Sequence, residues 1–349
     1  MNFKRAEVVS LIIHKVGNKS REEGVKLSRD IYEIEDDTLE ALLLTYFLKP
    51  FKFDDFYKFT HPSDLKYNEL YSYISEIFLD NEKLPEKSVD IADHLYNQSM
   101  HPKINGGELV IAILQNCFIE GEYVDAIGIF KSENKETYIK FNEGQKGLLM
   151  NYEKGINVRK LDKGAIIFNH SKEQGYRVLS VDNNSQDAQY WFRNFLDIEI
   201  VKNSRYKTNT ALDLCEGFVH EVVADVLDKK DQMVMLNKAY DYIEDSDNFD
   251  IEEYAEEIIG DEEYIKQFKN YKTEFEDRRG EKVENNFPIA KSAVVQAKKR
   301  LKNLIKLDTN IQIKINLDNP EVVEEFVERA YDYEKEMHYY KIYFNQELD

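Results

Sequence analysis

Seven histidines, His14, His61, His94, His101, His170, His220 and His338, are the first candidates for chemistry in this chain of 349 residues. His94 and His101 are seven positions apart, so an unbroken helix would bring them near one face, with Glu108 close by in sequence. A zinc site draws its ligands from tighter spacings, such as paired histidines four apart plus a third ligand. Hydrogen bonding at a helix end is the commoner use of such histidines. A metal-dependent nuclease needs paired carboxylates and a lysine near strand ends, to hold magnesium and position water. Asp125 and the string Glu133-Asn134-Lys135 match that pattern loosely, with Glu133 expected at a turn. Gly144-Gln145-Lys146-Gly147 lacks the spacing and the hydroxyl of a phosphate-binding loop. No Gly-x-Ser-x-Gly elbow is present. Cys117 and Cys215 read as core thiols in a reducing, cytoplasmic setting. The residues therefore imply no cofactor, no metal and no catalytic group.

The strongest electrostatic signal lies near the C-terminus. Residues 286–317 hold 7 basic residues and a single acid, Asp308. They are flanked by residues 241–281, with 16 acids against 5 bases, and by residues 318–349, with 10 against 3. Periodicity predicts one helix over Pro288–Ile305, with Asn286 as its cap and Pro288 in its first turn. On that helix Ala290, Ala293, Val294, Ala297, Leu301, Leu304 and Ile305 form an apolar stripe. Lys298, Lys302 and Lys306 fall on one row at spacings of four, with Lys299 and Arg300 alongside. Such a row could meet phosphate oxygens without reading base sequence. The commoner arrangement is a solvated face whose lysines pair with neighbouring acids. The acidic stretch reads as a soluble surface or, less often, as an imitation of the phosphate backbone that docks on a DNA-binding protein.

Two domains are expected from the length, since single cores rarely grow past about 250–300 residues. Residues 1–200 read as an α+β domain and 201–349 as a mainly helical domain with a short two-strand element. Glu7–Lys15 reads as a strand. Helices follow after Asp37-Thr38, over Tyr67–Leu79 and over Pro85–Met100. From Glu108 the period changes to that of strands, over Leu109–Phe118, Tyr123–Lys131, Thr137–Phe141, Ile156–Leu161, Ala165–His170 and Tyr176–Asp182. The pattern predicts an antiparallel meander of about six strands with flanking helices. Trp191 to Leu196 should form a short helix packed on it. Beyond lie helices over Ala211–Leu227, Gln232–Ile243, Ile251–Ile259, Glu262–Phe275 and Val322–Tyr331. Strands are expected over Ile311–Leu317 and His338–Phe344.

Hydrophobic residues make up 42% of the chain and charged residues 33%, enough apolar material for a sizeable core. No run approaches membrane-spanning length. The formal charge of −20 repels polyphosphate at long range. Contact with nucleic acid would need a local basic patch or a second protein.

An ordered series of short motifs runs from His94 to Asn169. It comprises His94-Leu95-Tyr96, Ser99-Met100-His101-Pro102, Gly106-Gly107-Glu108-Leu109, Asp125-Ala126-Ile127-Gly128-Ile129-Phe130-Lys131-Ser132-Glu133, Leu161-Asp162-Lys163-Gly164 and Ile167-Phe168-Asn169. In this order they resemble the NdpA/YejK-type family of bacterial nucleoid-associated proteins. The resemblance implies an α+β fold, a place on the nucleoid and a non-enzymatic role in chromosome organisation. It also implies association with DNA or with a type II topoisomerase-like partner, and it carries no catalytic residue. The expectation is a protein that touches DNA weakly through Lys298, Lys299, Arg300, Lys302 and Lys306, or is recruited through a DNA enzyme. The alternatives are a regulator of such an enzyme that touches no DNA, and a metal-dependent nuclease. Self-association is left open.

Overall fold

The computed structural model describes residues 2–51, 55–144, 147–184, 190–301, 303–315, 323 and 325–347. The chain divides into two compact units, Met1–Val201 and Lys202–Asp349.

In the first unit, β1 (Glu7–Val16) is followed by β2 (Val25–Lys26), α1 (Asp37–Leu48) and β3 (Tyr57–Phe59). Asp36 caps α1 by accepting from the Leu39 amide. Next come α2 (Glu69–Leu79), α3 (Leu84–Gln98), β4 (Gly107–Ile119), β5 (Glu122–Ser132), β6 (Glu136–Gly144) and β7 (Gly147–Gly155). β8 (Lys163–Phe168), β9 (Arg177–Asp182), a π-helical turn (Tyr190–Phe195) and β10 (Ile198–Ile200) complete the unit. Among the described residues, eight strands form one sheet in the order β10-β3-β9-β8-β5-β4-β1-β2. Every pairing in it is antiparallel. The fold is α+β. Leu109–Leu114 is nearly all buried, as its unbroken apolar run implies, because the sheet is covered on both faces. One core gathers Ile111, Ile129, Ile167 and Leu95 under α2, α3 and Trp191. The other gathers Leu114, Phe130, Phe168 and Phe47 on the opposite face.

Of the six strands expected in the meander, only β4, β5, β8 and β9 lie together in the large sheet. β6 lies outside the large sheet and pairs with β7, in a register running from Glu136↔Gly155 to Gly144↔Gly147. The strand expected over Ile156–Leu161 is a loop instead. Ile156 and Val158 pack on the core without a ladder partner. β7 escapes sequence reasoning because Leu148-Leu149-Met150 carries none of the β-branched residues that mark strands.

The second unit holds α4 (Ser204–Glu221), α5 (Lys229–Asp245), β11 (Asn248–Asp250) and α6 (Ile251–Tyr254), which runs into a π-helical turn (Ala255–Ile259). It continues with α7 (Glu262–Arg279), β12 (Asn286–Pro288), α8 (Lys291–Lys298), β13 (Leu304–Lys306), β14 (Gln312–Lys314), β15 (Val327–Asp332) and β16 (Met337–Ile342). Phe218, Tyr240, Tyr254, Phe268 and Val294 form its main core. The single helix expected over Pro288–Ile305 is not formed. α8 ends at Lys298, and Leu304–Lys306 pairs with Gln312–Lys314 as a hairpin. Ile305 thereby enters a second cluster with Met233, Val234 and Ile315. Asn310 closes that hairpin with a φ of 63°, a left-handed conformation asparagine tolerates. The helix expected over Val322–Tyr331 is likewise replaced over its second half, where β15 pairs with β16.

Each unit holds one cysteine, Cys117 or Cys215, and both are fully buried. Burial pushes each thiol up to about 12.

Candidate functional site

Two of the motifs that carry the resemblance meet at one end of the large sheet. β5 ends with Lys131 and Ser132, and the chain then leaves the strand through Glu133. Its neighbour β8 begins at Lys163, preceded by Asp162, and β9 ends at Asp182. The register aligns Lys131 with Lys163 and Lys163 with Asp182, so two lysines and an aspartate form one row across three strands. Residues in register share a face, and this face is the one that α3 and Trp191 cover.

Two ammonium groups side by side would repel. Glu133 separates them. Its Oε1 lies 2.9 Å from Lys131 Nζ and its Oε2 lies 3.3 Å from Lys163 Nζ. Asp182 Oδ1 takes Lys163 from the other side at 3.2 Å. All four side chains are at least nine-tenths buried. Lys131 also donates to the Asn105 carbonyl at 2.8 Å and faces the Tyr190 hydroxyl at 3.5 Å. Tyr190 passes the chain on to Ser99, which donates to the Leu95 carbonyl of α3. Burial pushes Lys131 below its ordinary value, against the pull of Glu133, and pushes Tyr190 up. A buried charge is tolerated when it is paired and hydrogen-bonded. Each charge of this row has an opposite charge beside it, and Asp182 bonds through Oδ1 while its Oδ2 is buried without a hydrogen-bond partner.

Asp162 does a separate job. Its Oδ2 accepts from the amides of Glu133 (2.6 Å) and Asn134 (3.0 Å), and its Oδ1 from Asn134 Nδ2 (2.7 Å). A buried carboxylate thus fixes the backbone where it leaves β5 for β6. Asn184 Nδ2 donates to Glu133 Oε2 at 2.8 Å and closes the network from the β9 side. Gly107 is required here because a Cβ on it would sit 1.9 Å from the Ser132 carbonyl oxygen. Next to the network, a cavity of about 240 Å³ is lined by Lys103, Asn105, Glu133, Lys163 and Asn184 among others. The chemistry of the arrangement is charge held against charge, at the root of the β6–β7 ribbon.

The model of the family described as nucleoid-associated protein YejK matches residues 12–336. The chain belongs to that family. Its kind is therefore that of a nucleoid-associated protein, and its place is the nucleoid. No curated protein matched the chain. Among the described residues of this family member, no helix is long and apolar enough to cross a membrane.

The nuclease pattern is not assembled in the expected way. Asp125 lies inside β5 and Glu133 just beyond its last residue, eight positions and so about 26 Å apart at strand rise, so they cannot share one ion. Lys135 instead pairs with Glu108 at 2.5 Å. Among the described residues no group of three or more His, Cys, Asp or Glu side chains is placed to hold a metal. The histidine pair is also separated. α3 stops at Gln98, before His101. His94 Nδ1 meets Glu69 at 2.6 Å and its Nε2 lies 3.0 Å from the Phe195 carbonyl oxygen, which ties α3 to α2 and to the π-helical turn.

The cationic row of the second unit is dispersed with the helix that was to carry it. Lys298, in the last turn of α8, is held by Asp241 and Glu244 of α5, each at 2.6 Å. These carboxylates raise its pKa against the effect of burial. Lys299 caps α8 and is exposed, as are Arg300 and, on β13, Lys306. Lys302 lies outside the described residues.

Sequence reasoning missed the roles of Lys131, Asp162, Lys163 and Asp182. A signal was present: Lys131 ends the apolar run Ala126–Phe130, and Lys163 precedes the run Ala165–Phe168. A charge abutting a run that reads as buried on both faces needs a buried partner.

Proposed function

We propose that this family member acts on the nucleoid without catalysis and reaches DNA through a protein partner, a DNA enzyme of the type II topoisomerase kind. The observation that carries this reading is the position of Lys298 between Asp241 and Glu244. The one cation that α8 presents in its last turn is neutralised before any phosphate arrives. The chain's charge of −20 adds long-range repulsion. A salt-titrated DNA-binding curve tests it. The expected result is weak binding with a shallow dependence of log affinity on log salt, unchanged by Lys298→Glu. In parallel, a DNA enzyme should co-purify with the chain after exhaustive nuclease digestion. Loss of that partner on digestion would overturn the reading.

Direct, weak and non-specific contact is the second reading, favoured by the exposure of Lys299, Arg300 and Lys306. It predicts a steep salt slope, and Lys299→Glu or Lys306→Glu should each flatten that slope by about one.

A further inference from the structure

The β6–β7 ribbon is amphipathic, and its apolar face is bare. The register puts Ile139 opposite Tyr152, Phe141 opposite Met150, and Glu143 opposite Leu148. Paired residues share a face, so Ile139, Phe141, Leu148, Met150 and Tyr152 form one continuous patch. They are 65–75% exposed. The opposite face carries Lys140 paired with Glu153 at 3.0 Å and Tyr138 bonded to Glu136. Among the described residues, β6 and β7 pair with no other strand. A lone two-stranded ribbon is marginal in water, and an exposed apolar patch of this size marks an interface.

We propose that this face packs on the same face of a second copy of the chain, antiparallel about a two-fold axis, as a four-stranded sandwich. Three observations select a second copy as the occupant. The five side chains offer on the order of 700 Å² per copy, close to the roughly 800 Å² per partner of a standard interface. The apolar face is bounded by opposite charges, with exposed Lys154 at its base and exposed Glu143 near its tip. Antiparallel stacking brings each Lys154 beside the other copy's Glu143, the self-complementarity that a two-fold contact requires. Finally, residues 136–155 carry three acids and three bases, a neutral segment in a chain of net charge −20. Two such chains repel each other least where this ribbon projects. The clamp of Asp162 and Glu133 is what holds the ribbon's root in place for that contact.

Sedimentation velocity of the full chain across a concentration series tests the proposal. The wild type should be a dimer at micromolar concentration. Phe141→Asp should raise the dissociation constant at least about 30-fold while leaving the circular dichroism spectrum unchanged. Lys154→Glu and Glu143→Lys should each weaken the dimer several-fold, and the two together in one chain should restore it. A wild type that stays monomeric to about 100 µM, well above any useful affinity of such an interface, would overturn the proposal. So would a dimer indifferent to Phe141→Asp, or a double charge reversal that fails to restore what the single changes removed. Binding of an unrelated protein to the ribbon by a monomeric chain counts with these.

Discussion

β7 and β8 are consecutive strands that each carry four apolar residues, yet they have opposite fates. All six residues of β8 are buried, whereas the first eight of β7 are exposed. β8 has a hydrogen-bonded neighbour on each edge and a core on each face. β7 has one neighbour and no cover among the described residues. Apolar composition therefore does not decide where a strand lies. Its pairing partners and the helices laid over it do. Leu161-Asp162-Lys163-Gly164 marks the passage from the ribbon back into the sheet, with Asp162 just before β8 and Lys163 as its first residue. Its charged residues work against Glu133 at the other root of the ribbon.

Removing the clamp should cost most. Glu133→Ala leaves two buried ammonium groups facing each other and should lower stability by about 3–5 kcal/mol in urea denaturation. A loss below about 1 kcal/mol would mean that the cluster does not brace the sheet. Truncation inside β8 comes next. Ile167→Ala opens a cavity in a fully buried strand and should cost about 2–5 kcal/mol by the same assay.

The second unit has its own buried carboxylate, Glu276, which sharpens the comparison by isolating the charge effect. Burial would raise its pKa, but hydrogen bonds from Lys272, Lys282 and the Val283 amide outweigh that and hold it at about 2. That folded value lies below the ordinary 4.5. The stabilisation is thus complete above pH about 4.5 and is lost as the pH falls through about 2, for a total of about 1–3 kcal/mol once solvent screening at the exposed Lys282 is allowed for. Glu276→Gln should remove that acid limb from a plot of stability against pH, and a plot of unchanged shape would refute the assignment.

The smallest effect belongs to β7. Leu148→Ser should change the stability of the dilute, monomeric chain by no more than about 0.5 kcal/mol. A larger loss would show that the chain itself covers the ribbon.

Much of the large sheet is legible in the sequence, because β4, β5, β8 and β9 are dense in Ile, Val and Phe, and such runs fit a pleated, covered surface. The faces of α2 and α3 are legible for a similar reason: Leu70, Ile74, Ile77, Ile91 and Leu95 recur at helical spacing and are buried. The stretch after Lys298 is not. Its helical period continues through Leu301, Leu304 and Ile305, yet the chain turns, because Ile305 has a better burial site beside Met233 than a continued helix would give it. Local period loses there to tertiary packing. The tight turn at Asn310 was the available sign of a hairpin. The clamp was hidden for a different reason. Its charges are scattered along the sequence, and only the strand register brings Lys131, Lys163 and Asp182 into line.

The two cysteines give each unit an internal clock. Cys117 lies in the first unit and Cys215 in the second, both without solvent access and both held as neutral thiols far above neutral pH. A thiol-alkylating reagent can reach either one only when the surrounding core opens. Peptide-resolved alkylation rates would therefore time the opening of the two halves separately within one intact molecule, with no label to introduce.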